Sequence, residues 1–347
     1  MSDAHFRIEG RAARITIDRP KALNAITHEI CQRVHAALPG WADDPTVDLV
    51  LIDAVGDKAF CAGGDLQVMY EFGLRGDDTP ARAFWRDEYA MNAALARFAK
   101  PVVAFLQGYT MGGGVGLGCH ASHRVVGDSS RIAMPECSIG LVPDVGGSLL
   151  LANAPGHLGE YLALTSARMG PGDAIHAGFA DHYLPEGAWD ALKANLVETG
   201  NVAAIDRGRR LAPASPMAEA APEIDTLFAG PSLGAIIDSL SKSDTEFARD
   251  AQNRLSRNAP LAMAVALAII RANRAPGTTV ADALTREFRY TARSVAQGDF
   301  LEGIRATIID KDRSPRWAHR LEALPEADVA AMTAPLGDED LQLETNA

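Results

Sequence analysis

The sequence predicts an α/β fold in which a lobe of mixed strands and helices leads into a helical region. Three observations carry that reading. Arg14-Ile15-Thr16-Ile17-Asp18 alternates apolar and polar residues as a half-buried strand does. Val47 to Ala54 and Val102 to Leu106 are largely apolar, as strands covered on both faces require, and each leads into a cluster of glycines. From about Gly140 onward, helical patterns dominate.

Taken in order, Asp18-Arg19-Pro20 stops the first strand. Thr27 is placed to cap a helix that carries Ile30, Val34 and Leu38 on one face and ends near Gly40. His123 to Val126 reads as a further short strand. Asn201 to Pro222 is rich in Ala, Pro and Arg and reads as a connection with little regular structure. Beyond it, helices are expected over Thr245 to Arg257, Pro260 to Asn273 and Thr279 to Gln297. The expected division is therefore residues 1–205 as a core, 206–330 as a helical C-terminal region, and 331–347 as an acidic, fraying tail.

Composition excludes several functions. Lys and Arg total 33 against 45 Asp and Glu, a net charge of −12, which would repel a phosphate backbone and argues against nucleic-acid binding. The longest apolar run, Ala259 to Ile270, is too short to cross a bilayer and reads as a buried helix, so no membrane partner is expected. Met1-Ser2-Asp3-Ala4-His5 has neither a signal-peptide core nor an Arg-rich transit character. Four cysteines in 347 residues do not make a disulfide framework. The expected compartment is reducing and cytoplasmic.

Two stretches could carry chemistry. Phe60-Cys61-Ala62-Gly63-Gly64-Asp65 and Met111-Gly112-Gly113-Gly114-Val115-Gly116 each follow a buried strand. Such turns can aim backbone N–H groups at a ligand and form an oxyanion hole for a thioester or enolate oxygen. A single Gly-Gly pair is more often a tight turn, so the functional reading rests on there being two. The run Met134 to Gly147 holds Glu136 and Asp144 among apolar, small and turn-forming residues. Carboxylates held in a dry wall suit acid–base or nucleophilic work. Equally, Glu136 after Pro135 suits the first turn of a helix, and Asp144 suits the cap of the next. Cys119, His120, His123 and Cys137 match no common zinc spacing, and no Gly-Lys-Ser/Thr follows the glycines, so no metal or nucleoside triphosphate is expected.

At these residues the chain resembles the crotonase (enoyl-CoA hydratase/isomerase) superfamily, and within it the 3-hydroxyisobutyryl-CoA hydrolase branch. The resemblance lies in Asp18 to Ala25, Lys58 to Asp65, Phe84 to Tyr89, Thr110 to Leu117, Pro135 to Gly147, Asp299 to Ala306 and Asp310 to Pro315. It implies a crotonase-like spiral of ββα turns with a helical C-terminal region. It further implies an oxyanion hole from the N–H groups of Gly64 and Gly113. Coenzyme A would pass Lys21, Ala22 and Leu23, with its adenine near the loop of Ala62, Gly63, Gly64 and Asp65. Glu88 would face the acyl pocket and accept from a substrate hydroxyl. Trimers and hexamers are common in the superfamily; a homo-oligomer is left open for this chain.

Departures within the resemblance decide the reaction. Hydratases of the superfamily use two glutamates; here Glu136 is kept, but the other position is Gly116, and Asp144 stands where glycine is usual. Water addition across a double bond needs two positioned acid–base groups, whereas a carboxylate gained near the oxyanion hole suits thioester hydrolysis. The expected protein is a thioesterase for a short β-hydroxyacyl-CoA, with 3-hydroxyisobutyryl-CoA of valine breakdown foremost. Glu136 would be nucleophile or general base, and Asp144 would orient the acyl group or water. No cofactor is expected, because coenzyme A arrives with the substrate. The alternatives are an enoyl-CoA hydratase/isomerase and a non-catalytic acyl-CoA binding protein.

Overall fold

Strand β1 (Ala4–Glu9) turns at Gly10 and pairs antiparallel with β2 (Ala12–Ile17). The remaining strands are β3 (Leu49–Ala54), β4 (Ala59–Cys61), β5 (Val102–Phe105), β6 (Tyr109–Met111), β7 (His123–Val126), β8 (Arg131–Ala133) and β9 (His182–Tyr183). They form a six-stranded sheet in the order β1-β2-β3-β5-β7-β9, parallel beyond the first pair, and a parallel three-stranded sheet β4-β6-β8. The computed structural model describes residues 3–321 and 323–343.

This topology is a spiral. Each of β3, β5 and β7 is followed after a few residues by a strand of the smaller sheet, so the chain climbs by repeated ββ steps. Ile15 lies opposite Ile52, and Ile52 opposite Ala104, which stacks the steps in register. The fold class is thus the α/β, crotonase-like spiral that the resemblance implies.

Leu49 and Leu51 of β3, Val103 and Phe105 of β5, and Val125 of β7 pack against Trp189, Leu192 and Leu196 of the helix Trp189–Thr199. Burial of each such side chain contributes roughly 1.5–3 kcal/mol. The other face of β3 and β5, through Val50, Ile52, Val102 and Ala104, is buried as well. That double burial explains the near-continuous apolar runs.

One charged residue interrupts this core. Asp53 on β3 is buried and accepts from Arg14 at 2.6 Å and Thr16 at 2.7 Å, with Lys193 at 3.0 Å. Burial opposes its charge, yet Arg14, Lys193 and Thr16 together hold its carboxyl below the ordinary aspartate value. A lowered folded value means that this stabilisation is present above the unfolded aspartate range and is lost as pH falls through the folded value. Asp53→Ala, which takes the buried carboxylate from Lys193 and leaves Arg14 with Glu9 alone, should cost roughly 3–5 kcal/mol near neutral pH. Denaturant midpoints of the two proteins should converge as the buffer is made strongly acidic. A loss of stability that stays the same at every pH would show that the cost is packing alone.

The chain forms two compact units that interleave in sequence. The first comprises Met1–Asp65, Asp87–Ala133 and Arg168–Ala218, and the second Leu66–Arg86, Met134–Ala167 and Glu219–Ala347. The expected single boundary near residue 205 is corrected: the chain leaves the sheet-bearing unit and returns to it twice, and the change in composition after Asn201 lies near only the last exit. The 201–222 stretch is not structureless either, since it holds the helices Ala203–Gly208 and Pro216–Glu219 and the start of Ala221–Leu227. The expected fraying of the tail is corrected as far as Leu343. Met332 of the helix Glu326–Thr333 and Leu341 are buried, and Arg289 binds Asp340 at 2.8 Å. Acidic residues that look solvated in sequence here have basic partners; residues 344–347 lie outside the described residues.

Helix starts follow their caps. Thr27, Thr245 and Thr279 each accept from the backbone N–H three residues on, opening the helices His28–Asp43, Glu246–Leu255 and Val280–Gln297. Pro260 opens the largely buried helix Pro260–Asn273. Among the described residues no single helix is long and apolar enough to cross a membrane.

Candidate active site

In the first unit, β4 and β6 each run into a glycine turn, because the spiral brings the ends of neighbouring parallel strands to the same edge. Gly63 has φ +120° and Gly112 has φ +49°, conformations that a side chain strongly disfavours. Gly112 lets the chain turn directly from β6 into the buried helix Gly113–Gly118. A Cβ added at Gly113 would lie 3.4 Å from the Gly64 nitrogen and 2.6 Å from the Glu88 Oε1 atom. Three predicted site residues, Gly64, Gly113 and Glu88, therefore meet at one point. No described residue accepts a hydrogen bond from the N–H of Gly64 or Gly113.

Glu88 is buried on the helix Thr79–Ala96, an element the sequence reading did not anticipate. Burial pushes the Cys61 thiol up to about 12, and the Glu88 charge adds to that shift. A carboxyl thus stands in an apolar wall beside the two glycine turns.

Lys21 and Ala22 belong to an exposed 3-10 turn, Pro20–Ala22, and Leu23 follows it with φ 51°. Asn24 is buried beneath them and donates to the carbonyls of Val55 at 3.0 Å and Ala59 at 2.7 Å. The turn borders a cleft of about 360 Å³ whose lining includes Lys21, Leu23, Val55 and Lys58. The Ala62 N–H donates to the Leu23 carbonyl at 3.1 Å, and Arg19 binds Asp65 at 3.0 Å. The two segments expected to bind coenzyme A are joined to each other, with two lysines available to anionic groups.

In the second unit, Glu136 is buried and opens the single 3-10 turn Glu136–Ile139 directly after Pro135, as the first-turn reading expects. Helix Phe300–Ile304 packs on this turn so tightly that a Cβ at Gly303 would lie 2.1 Å from the Ile139 carbonyl oxygen. This contact accounts for the glycine in the Asp299 to Ala306 motif. Asp144 is also buried. The helix after it, Gly147–Asn153, has Gly146 as its N-cap, so the capping role considered for Asp144 is corrected. Between them Val145 has φ 53°, which is rare for a β-branched residue and costs about 1–3 kcal/mol.

Sequence reasoning missed what holds these turns. Glu287, fully buried on the helix Val280–Gln297, accepts from the N–H of Gly146 at 2.8 Å and of Ser148 at 3.1 Å, and from the Ser148 hydroxyl. Burial raises its carboxyl to about 8, with Asp144 contributing to the rise. One turn further along that helix, Tyr290 donates to the Gly140 carbonyl at 3.0 Å. The only sequence signal is a polar pair at i and i+3 on the apolar face of an amphipathic helix. Among the described residues no three His, Cys, Asp or Glu side chains gather as a metal site.

The sequence profile of the enoyl-CoA hydratase/isomerase family matches residues 12–333. This chain belongs to that family. Within it, the chain is 34% identical to the 3-hydroxyisobutyryl-CoA hydrolase, mitochondrial, of Gallus gallus, over 99% of this chain and 91% of that protein. The Xenopus tropicalis protein of the same name is 36% identical, over 96% of this chain and 89% of its own length. Among solved structures of the family, one described as an enoyl-CoA hydratase from Rhodobacter sphaeroides 2.4.1 is 51% identical. It superposes with a TM-score of 0.94 over 99% of this chain and 100% of that one. A carnitinyl-CoA dehydratase from Mycobacterium thermoresistibile is 38% identical, with the same TM-score and complete coverage of both chains. Family membership fixes the fold, while the names of these relatives divide between hydrolysis and hydration.

Proposed function

We propose that this protein is a thioester hydrolase for short β-hydroxyacyl-CoA, with 3-hydroxyisobutyryl-CoA as its preferred substrate. The observation that carries the choice is Asp144, a buried carboxylate that does not serve as the cap of the following helix. Near-full-length similarity to relatives named as hydrolases supports it further.

In this reading the N–H groups of Gly64 and Gly113 hold the thioester oxygen as it becomes anionic. Glu136 either attacks the carbonyl carbon, giving a mixed anhydride and free thiolate, or takes a proton from the attacking water. Both routes end in the acid and coenzyme A, with water supplying the added atoms. Asp144 orients the acyl group or the water and assists the leaving thiolate. Glu88 accepts from the β-hydroxyl, and Lys21, Ala22, Leu23 and the Ala62–Asp65 loop bind coenzyme A. No metal or redox group enters this scheme. We further propose that the enzyme works in valine breakdown in a reducing cytoplasm; its four buried free cysteines suit a reducing environment.

A second reading, enoyl-CoA hydratase, is favoured by the 51% identical structure described by that name. It lacks a carboxylate at Gly116, which lies buried in the helix Gly113–Gly118.

A β-hydroxyl should matter strongly. Without it the buried Glu88 carboxyl forgoes a hydrogen bond while remaining desolvated, and sites built around a hydroxyl discriminate by large factors. We expect kcat/KM for 3-hydroxyisobutyryl-CoA to exceed that for isobutyryl-CoA by roughly 10²-fold or more, read from thiol release. Equal values would leave only a general thioesterase.

A further inference from the structure

Asp144 and Glu136 stand on two short turns, each closed by a few backbone hydrogen bonds of its own. The first, Pro135 to Gly140, ends at Gly140 with φ 74°. The second contains consecutive left-handed residues, Val145 at φ 53° and Gly146 at φ 76°, and leads into a helix whose N-cap has no side chain to accept its first amides. Both turns are further tied to the helix Val280–Gln297.

Glu287 bridges the second turn at both ends of Gly147, accepting from the Gly146 N–H at 2.8 Å and the Ser148 N–H at 3.1 Å. The Gly147 N–H itself closes on the Asp144 carbonyl at 2.7 Å. The clamp is itself braced. Asn273 donates to the Ser148 hydroxyl at 2.7 Å, and Arg286 donates to the Asn273 side-chain Oδ1 at 2.8 Å. Tyr290, three residues from Glu287 and so on the same helix face, donates to the Gly140 carbonyl at 3.0 Å.

We propose that Glu287 and Tyr290 are positioning residues that set the placement of Asp144 and Glu136 for thioester hydrolysis. The proposal rests on the function given above for those two carboxylates. Its physical basis is that a reacting group must be held within about 0.5 Å, and that a misplacement of about 1 Å can cost roughly 10²-fold in rate. A buried helix with two side-chain anchors is a stiffer support than either turn alone.

The test is a double-mutant cycle on the full chain, with thiol release from 3-hydroxyisobutyryl-CoA as the assay and thermal unfolding alongside. Glu287→Gln places an amide donor against an N–H that now has an acceptor. Its kcat should fall about 10-fold or more with KM within about twofold. In an Asp144→Asn background the same change should lower the residual kcat by much less, because the group being positioned is gone. Tyr290→Phe removes one oxygen and carries the parallel comparison against Glu136→Asp if Glu287→Gln does not fold. Equal fractional losses in both backgrounds, or a lower unfolding midpoint with unchanged kcat, overturn the proposal and make the two residues purely structural. Full activity of Asp144→Asn alone overturns the reading of Asp144 instead, and the proposal with it.

Discussion

Glu136→Gln should reduce thiol release by roughly 10³-fold or more while acyl-CoA binding stays within a few-fold of the unsubstituted protein. The amide matches the carboxylate in size, so the buried turn Glu136–Ile139 keeps its packing against the helix Phe300–Ile304. What is lost is the capacity to attack a carbonyl or to accept a proton from water. Both routes open to Glu136 fail together, and so the prediction does not depend on choosing between them. Steady-state turnover and equilibrium binding of a non-hydrolysable acyl-CoA analogue measure the two halves separately. Retention of most of the wild-type kcat would remove Glu136 from the chemistry.

Gly113→Pro should cost roughly 10²-fold or more in kcat, because it deletes an N–H proposed to meet the developing oxyanion. The backbone can accept it, since Gly113 is the first residue of its helix, where proline is well tolerated. The added Cβ, however, would approach the Glu88 Oε1 atom at 2.6 Å. Gly113→Ala adds the same carbon but keeps the N–H, so it isolates the crowding. The expected order of kcat is wild type, then Ala, then Pro, with a large step between the last two. Equal activity for the two variants would mean that crowding of Glu88 explains the whole loss and that the oxygen is held elsewhere.

The parts of this molecule written in local chemistry could be read from the sequence. Thr245 and Thr279 announce their helices through side-chain caps, and Pro260 opens a third at the residue expected. Val102 to Phe105 declares a doubly covered strand by its composition. Strand β1 escaped because an edge strand needs only a weak alternation, here Phe6 and Ile8 among polar neighbours. The interleaving of the two units escaped because it is set by where the chain crosses, not by what it is made of. The site divides in the same way. Gly64, Gly113, Glu136 and Asp144 stand in motifs, whereas Glu287 reaches Gly146 across 141 positions and resembles any other helix residue until that contact is seen. The left-handed conformation of Val145 runs against its local preference, so no reading of propensity would find it.

The most direct test of hydrolysis against hydration uses the unsubstituted protein and two substrates, 3-hydroxyisobutyryl-CoA and crotonyl-CoA, with free thiol and enoyl absorbance followed in parallel. Fast thiol release from the first, and no loss of enoyl absorbance from the second without matching thiol, is the expected result for a chain that carries Asp144 and Gly116. Rapid loss of enoyl absorbance with no free thiol from either substrate would contradict it and make the protein a hydratase.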